Sequence, residues 1–271
     1  MKFFEFIPEG AKDCNVMAWI HAYNENEITR RLRPAIVICP GGAYRMVSKR
    51  EAEPVALPFF AAGYDTFILE YSVLEKAKNF EPLCQLASVF AHIRKHAEEW
   101  LIDKDKIAVC GFSAGGHLAA SLGILYHEEA FLKVFGRKEH IRPDAMILCY
   151  PVITADEFAH VESIENVSGA KEGSKEYQWF GLDKHVDQFT PPAYVWHTAE
   201  DQTVPVENSL KLSMAFSAAN VPFELHILPQ GMHGMSVCTK EVERGCPEKL
   251  SNGRWVKWCV QWLNELFDFQ L

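Results

Sequence analysis

The sequence predicts an α/β protein built on an open, mostly parallel, doubly wound sheet with helices on both faces. Three observations predict it. Short, near-continuous apolar runs recur: "AIVICP" (Ala35 to Pro40), "DTFILEYS" (Asp65 to Ser72), "KIAVCGF" (Lys106 to Phe112), "AMILCYP" (Ala145 to Pro151), "AYVWHTA" (Ala193 to Ala199) and "FELHILP" (Phe223 to Pro229). Runs without polar alternation suit strands covered on both faces. Segments of helical period lie between them, and strand and helix alternate along the chain rather than forming separate blocks.

The elements follow in order. Lys2 to Tyr23 reads as two strands joined by the turn-rich "PEGAKDC", an antiparallel edge to the parallel sheet. In Glu81 to Trp100, the residues Leu83, Leu86, Phe90 and Ile93 recur at helical spacing. Gly253 to Phe269 carries Trp255, Trp258, Cys259, Trp262, Leu263, Leu266 and Phe267 as one apolar stripe, the pattern of a core-facing helix. Ile153 to Gln188 breaks the rhythm, with the polar stretch "SGAKEGSKEYQ". It is too short for a domain, so residues 1–271 read as one domain with a cap-like insertion over the C-terminal edge of the sheet. Open α/β sheets bind ligands at that edge.

Composition bounds the partners. The 271 residues are 48% hydrophobic and 23% charged, with a net charge of -9. The basic cluster "RRLR" (Arg30 to Arg33) is too small a patch for nucleic acid or an anionic membrane surface. "MKFFEFIPEG" lacks the apolar stretch of a signal peptide, and no run approaches a membrane span, so a cytoplasmic protein is the expectation. Cys14, Cys39, Cys84, Cys110, Cys149, Cys238, Cys246 and Cys259 show no close C-x-x-C pair and are expected as reduced thiols.

The chemistry centres on "VCGFSAGGHLAA". Ser113 follows a strand, precedes a helical run rich in Ala and Leu, and has Gly111 and Gly115 two residues to either side. A strand-serine-helix junction with G-x-S-x-G is a nucleophile elbow: in so sharp a turn, side chains at the glycine positions would strike neighbouring backbone. The competing role for Ser113 is a helix N-cap. A serine hydroxyl needs a base, an orienting acid and oxyanion donors before it reacts at neutral pH. "LPQGMHGMS" offers His233 in a loop just after a strand. His197, at a strand end, is the rival base; His226 lies inside a strand, and His117 lies on the elbow helix. "WHTAEDQTVPVENS" offers Asp201, with Glu200 expected to face solvent or a neighbouring backbone. "ICPGGAYR" supplies Gly41 and Gly42, so the expected oxyanion donors are the N–H of Ala114 with that of Gly42 or Ala43. The order Ser113, Asp201, His233 is the one this architecture uses.

Together, "PGGAY", "REAEPVA", "GFSAGGHLAA", "HTAEDQTVPVENS" and "GMHG" resemble the α/β-hydrolase superfamily, and within it the small carboxylesterases of the acetyl esterase and acetylxylan/feruloyl esterase-like group. The likeness runs from about Ala35 to the C-terminus. It implies an α/β-hydrolase fold, a Ser113–His233–Asp201 triad, no cofactor and no metal, and a small-molecule ester substrate such as an acylated sugar. Amidase, thioesterase or small-peptidase activity, a ligand-binding role without catalysis, and a homo-oligomer stay open. Relatives often carry H-G-G-G or P-G-G-G where this chain has Pro40-Gly41-Gly42-Ala43, which leaves the donor in that loop open. Arg50 and Glu53 are expected to support that loop or to pair with each other. Tyr44, Trp179 and Phe180 are expected to flank the substrate pocket, since aromatic faces suit sugar rings.

Overall fold

The structure is a computed structural model that describes residues 1–23, 32–136, 140–243 and 250–271. Arg30 and Arg31 of the basic cluster, and Cys246, lie outside these residues. Among the described residues, eight strands form one sheet: Lys2–Phe6 (β1), Asn15–Ile20 (β2), Arg33–Cys39 (β3), Asp65–Glu70 (β4), Ile102–Phe112 (β5), Ala145–Cys149 (β6), Ala193–Thr198 (β7) and Phe223–Leu228 (β8). Their order is β1-β2-β4-β3-β5-β6-β7-β8. The pairs β1·β2 and β2·β4 are antiparallel, and all others are parallel.

The helices are Glu53–Ala61 (α1), Glu81–Lys95 (α2), Ala97–Trp100 (α3), Ala114–Leu125 (α4), Glu129–Phe135 (α5), Val161–Ser168 (α6), Lys175–Trp179 (α7), Glu207–Ala218 (α8) and Arg254–Phe267 (α9). Alternate residues of the central strands serve two cores. Val37, Val109, Met146, Leu148 and Val195 pack with apolar residues of α2, α4 and α8. Ile36, Ile38, Cys110, Ile147 and Trp196 pack with those of α1 and α9. This double cover explains the unbroken apolar runs. Of the α9 stripe, Trp255, Cys259, Leu263 and Phe267 are buried, Trp258 and Trp262 are half-buried, and Leu266 is exposed.

Three elements differ from expectation. Strand β5 starts four residues earlier than Lys106, because its "IDKDK" stretch is partly exposed and reads as loop. Its pairing with β3 also shifts register there. The helix expected from Glu81 to Trp100 is interrupted at His96, whose ring stacks on Trp100 at 5.0 Å. Strand β8 is the sheet edge, so its residues are half-exposed rather than enclosed.

The chain runs from β3 outward to β4 on one side and to β5 on the other, so the strand order reverses between β3 and β5. A crevice opens at the C-terminal ends of such a pair. The Gly41-Gly42 loop leaves β3 at this point, and Ser113 leaves β5. Cys14, Cys39, Cys110, Cys149 and Cys259 are free and buried. Among the described residues no helix is long and apolar enough to cross a membrane.

Candidate active site

Ser113 sits at the N-cap of α4 with φ 55° and ψ −119°, a conformation that costs an L-residue of the order of 1–3 kcal/mol. Sterics impose the glycines around it. A Cβ on Gly111 would meet the Gly115 carbonyl oxygen at 2.1 Å, and one on Gly115 would meet the Cys39 carbonyl oxygen at 2.1 Å. The Ser113 side chain makes no capping bond to its helix. Its Oγ instead lies 2.8 Å from His233 Nε2. A serine fixed in a strained turn yet withheld from capping is placed for something other than helix stability.

His233 Nδ1–H donates to Asp201 Oδ2 at 2.6 Å. Three contacts set the ring. Thr198 Oγ1 donates to Gly231 O at 2.7 Å, Arg50 Nη2 donates to Gly234 O at 2.8 Å, and the Tyr150 ring packs edge-on at 5.1 Å. Asp201 is 4% exposed, and both its oxygens are engaged. Oδ1 accepts the N–H groups of Thr203 and Val204, each at 2.9 Å. Oδ2 also faces His197 Nε2 at 3.2 Å. Burial alone would raise the Asp201 carboxyl; hydrogen bonds from His197 and His233, the His233 charge and the Val204 N–H outweigh it and hold the group well below the usual carboxylate range.

His197, the rival base, is fully buried behind Asp201. Its Nε2 lies 3.0 Å from the Val204 carbonyl, which can only accept, so Nε2 carries the proton. Its Nδ1 then accepts from Ser209 Oγ at 2.8 Å. Both ring nitrogens are committed, and the ring braces the aspartate. Glu200 is exposed and accepts the Gly231 N–H at 3.2 Å, away from the relay.

The loop after β3 is drawn tight by a residue that the sequence did not single out. Glu51, 3% exposed, accepts the Gly41 N–H at 2.9 Å and the Tyr150 hydroxyl at 2.8 Å. Tyr150 Oη in turn accepts the Ser236 N–H at 2.8 Å, which ties this loop to the histidine loop. Gly42 has φ 132°, and a Cβ there would meet the Met46 carbonyl oxygen at 2.1 Å. Ala43 and Tyr44 follow at φ 56° and 54°. Among the described residues, no hydrogen bond takes the N–H of Gly42, Ala43 or Ala114. Arg50 supports the histidine loop, donating also to the Val242 carbonyl at 2.6 Å, and Glu53 is exposed at the start of α1.

The three expected pocket aromatics lie elsewhere. Tyr44 is fully buried, and its hydroxyl meets His117 Nδ1 at 3.0 Å. Trp179 and Phe180 pack on Phe80 at 5.3 and 5.7 Å. The positive φ of Tyr44 turns its ring to the core, and His117, bonded to the Phe180 carbonyl at 3.0 Å, is the polar partner its hydroxyl needs. The cleft over Ser113 is a small one of about 230 Å³, lined by Gly42, Ala43, Arg45, Met46, Ser48, Glu51, Thr203, His233 and Gly234, with His160 and Glu162 from the insertion. The insertion is also tied to the loop by Asn166 Nδ2, which donates to Ala43 O at 2.8 Å.

A mostly parallel eight-stranded sheet with a strained strand-serine-helix turn, a histidine loop after β8 and an acid loop after β7 defines an α/β-hydrolase. This chain belongs to the BD-FAE family, which it matches over residues 21–216. That match contains Ser113 and Asp201 and ends before His233. Over 250 residues the chain is 32% identical to endo-1,4-beta-xylanase B of Butyrivibrio fibrisolvens, covering 89% of this chain and 37% of that protein. It is 31% identical over 212 residues to the acetylxylan esterase of Xylanibacter ruminicola, covering 76% of this chain and 42% of that protein. The chain therefore spans about two fifths of the length of these relatives. The crystal structure of an acetyl ester-xyloside bifunctional hydrolase from Caldicellulosiruptor lactoaceticus superposes with a TM-score of 0.80 at 32% identity, covering 95% of this chain and 89% of that one.

Proposed function

We propose that the chain is a carboxylic ester hydrolase acting through an acyl-enzyme on Ser113, with short acyl esters of carbohydrates as its substrates. One observation carries the reading: the contacts of 2.8 and 2.6 Å that link Ser113, His233 and Asp201 at the strained turn. In this mechanism His233 Nε2 takes the Ser113 proton as Oγ attacks the ester carbonyl. Asp201 holds the ring in the right tautomer and stabilises its charged form. The developing oxyanion is met by the Ala114 N–H and by Gly42 or Ala43 N–H, donors not spent within the fold. His233 then gives its proton to the leaving alkoxide, and water enters by the same base to release the acid.

The substrate class rests on the cleft and on the relatives. A cavity of about 230 Å³ with Arg45, Ser48, Glu162 and His160 on its walls suits a small acyl group on a polar alcohol better than a long chain. Relatives named acetylxylan esterase and acetyl ester-xyloside hydrolase fit the same choice. The test compares kcat/KM for acetyl, butyryl and octanoyl esters with that for acetylated xylo-oligosaccharides. The reading expects the acetyl compounds to lead, and a clear preference for octanoyl esters would contradict it.

A further inference from the structure

The insertion brings one side chain into the cleft that the proposed chemistry leaves unused. His160 stands at the N-cap of α6, where its Nδ1 accepts the Ser163 N–H at 3.3 Å, with Ser163 Oγ 2.8 Å away. A backbone N–H can only donate, so Nδ1 carries no proton, and the neutral ring holds its proton on Nε2. His160 lines the cleft with Ser113 and His233, and with Nδ1 taken by the cap the Nε2–H is the ring donor left for a ligand there. Among the described residues, no hydrogen bond takes that N–H. Arg45 and Glu162 stand beside it at the rim as an exposed pair 3.2 Å apart.

Position decides which part of the substrate this donor meets. The carbonyl oxygen belongs against the Ala114 N–H and that of Gly42 or Ala43, while the alkoxide leaves on the side of His233, which protonates it. His160 lines the same cleft as His233, near enough for the His233 charge to act on it. Burial first, then the charge of His233, depresses its pKa below the ordinary histidine value, which keeps the ring neutral and Nδ1 free to cap.

Resting on the ester-hydrolase reading, we infer that His160 is a specificity residue whose Nε2–H donates to a hydroxyl on the alcohol part of the substrate, so that the insertion selects esters of polyhydroxylated alcohols. The capping bond is what aims the donor: it fixes the tautomer and orients the ring, as a second partner does for a metal-bound histidine. A hydroxyl-bearing alcohol satisfies the N–H, whereas a plain aryl alcohol leaves it facing a group that cannot accept.

The experiment compares an acetylated xyloside with phenyl acetate. Both pass through one acetyl-enzyme, so the ratio of their kcat/KM values isolates the alcohol. His160→Asn keeps a good N-cap and removes the ring donor; His160→Phe keeps the ring and removes both nitrogens. Each should lower the xyloside-to-aryl ratio by up to about tenfold, the worth of one lost hydrogen bond. Thermal unfolding checks that both variants are folded. A ratio within about twofold of the wild type in His160→Asn overturns the inference. If the wild-type protein hydrolyses neither acetate, the ester-hydrolase reading itself has failed, and the inference falls with it.

Discussion

The back and the front of the site are built by different rules. Behind the relay, Asp201 has both oxygens engaged by His233, His197, Thr203 and Val204, and is almost sealed from water. In front, His160, Arg45 and Glu162 line an open cleft, and among the described residues no hydrogen bond takes the His160 Nε2–H. A buried polar group left unmade costs about 1–3 kcal/mol, so every valence at the back is used. Unused valence at the front costs little, because water or a substrate can take it. The difference separates groups that must not move from groups that must be available.

The comparison breaks most visibly at the serine. Ser113→Ala should lower kcat on an acetate ester by about 10⁵-fold while leaving the fold intact, since Ser113 makes no capping bond. Steady-state kinetics with a thermal melt checks both halves. Asp201→Asn should follow, at about 10⁴-fold in kcat, because an amide cannot hold the His233 tautomer or support its charge. The same assay reads it. If Asp201→Asn cost less than about tenfold, the buried back of the site would be structural scaffolding rather than part of the relay.

Glu51→Ala sharpens the account. It strips the Gly41 N–H and the Tyr150 hydroxyl of their buried acceptor. About 2–4 kcal/mol of stability should be lost, and kcat/KM should fall by about 10²-fold as the loop after β3, proposed to hold the oxyanion, loosens. Urea titration and kinetics test the two separately.

The smallest effect concerns pH. Burial pushes the His117 pKa down to about 4, and its bond to the Phe180 carbonyl offsets this only in part. The unfolded chain takes up that proton near pH 6.5, while the folded protein resists until about pH 4. The folded state is therefore not penalised above pH 6.5 and loses stability as the pH falls towards 4. Between pH 7 and 5 His117 alone should contribute about 2 kcal/mol of that loss, and His117→Gln should shrink the slope by that share, leaving the part due to other histidines that burial depresses, such as His92.

These tests fall unevenly on what the sequence reveals. The elbow is legible because its glycines stand at fixed spacing about the serine: Gly111 is demanded by backbone four residues on, and Gly115 by the end of the neighbouring strand. Asp201 and His233 are legible because loops after parallel strands share one edge. Glu51 is not, although it sits within "SKREAEP" between Arg50 and Glu53. Its burial depends on Tyr150, which is 99 residues away. His160 was hidden by the polar insertion, and its one signal, a polar residue before the apolar spacing of Val161 and Ile164, reads as a cap and nothing more. Tyr44 misled for the opposite reason. It is adjacent in sequence to the oxyanion loop, but a positive φ sends it to the core.

The central claim is that Ser113 is a nucleophile activated by a buried relay. Titration with a serine-directed phosphonate, read by intact mass and peptide mapping, tests it most directly. The account predicts one adduct per chain, on Ser113, with activity lost in proportion and no adduct in Ser113→Ala. Full ester hydrolysis by a protein that takes up no phosphonate at Ser113 would contradict it.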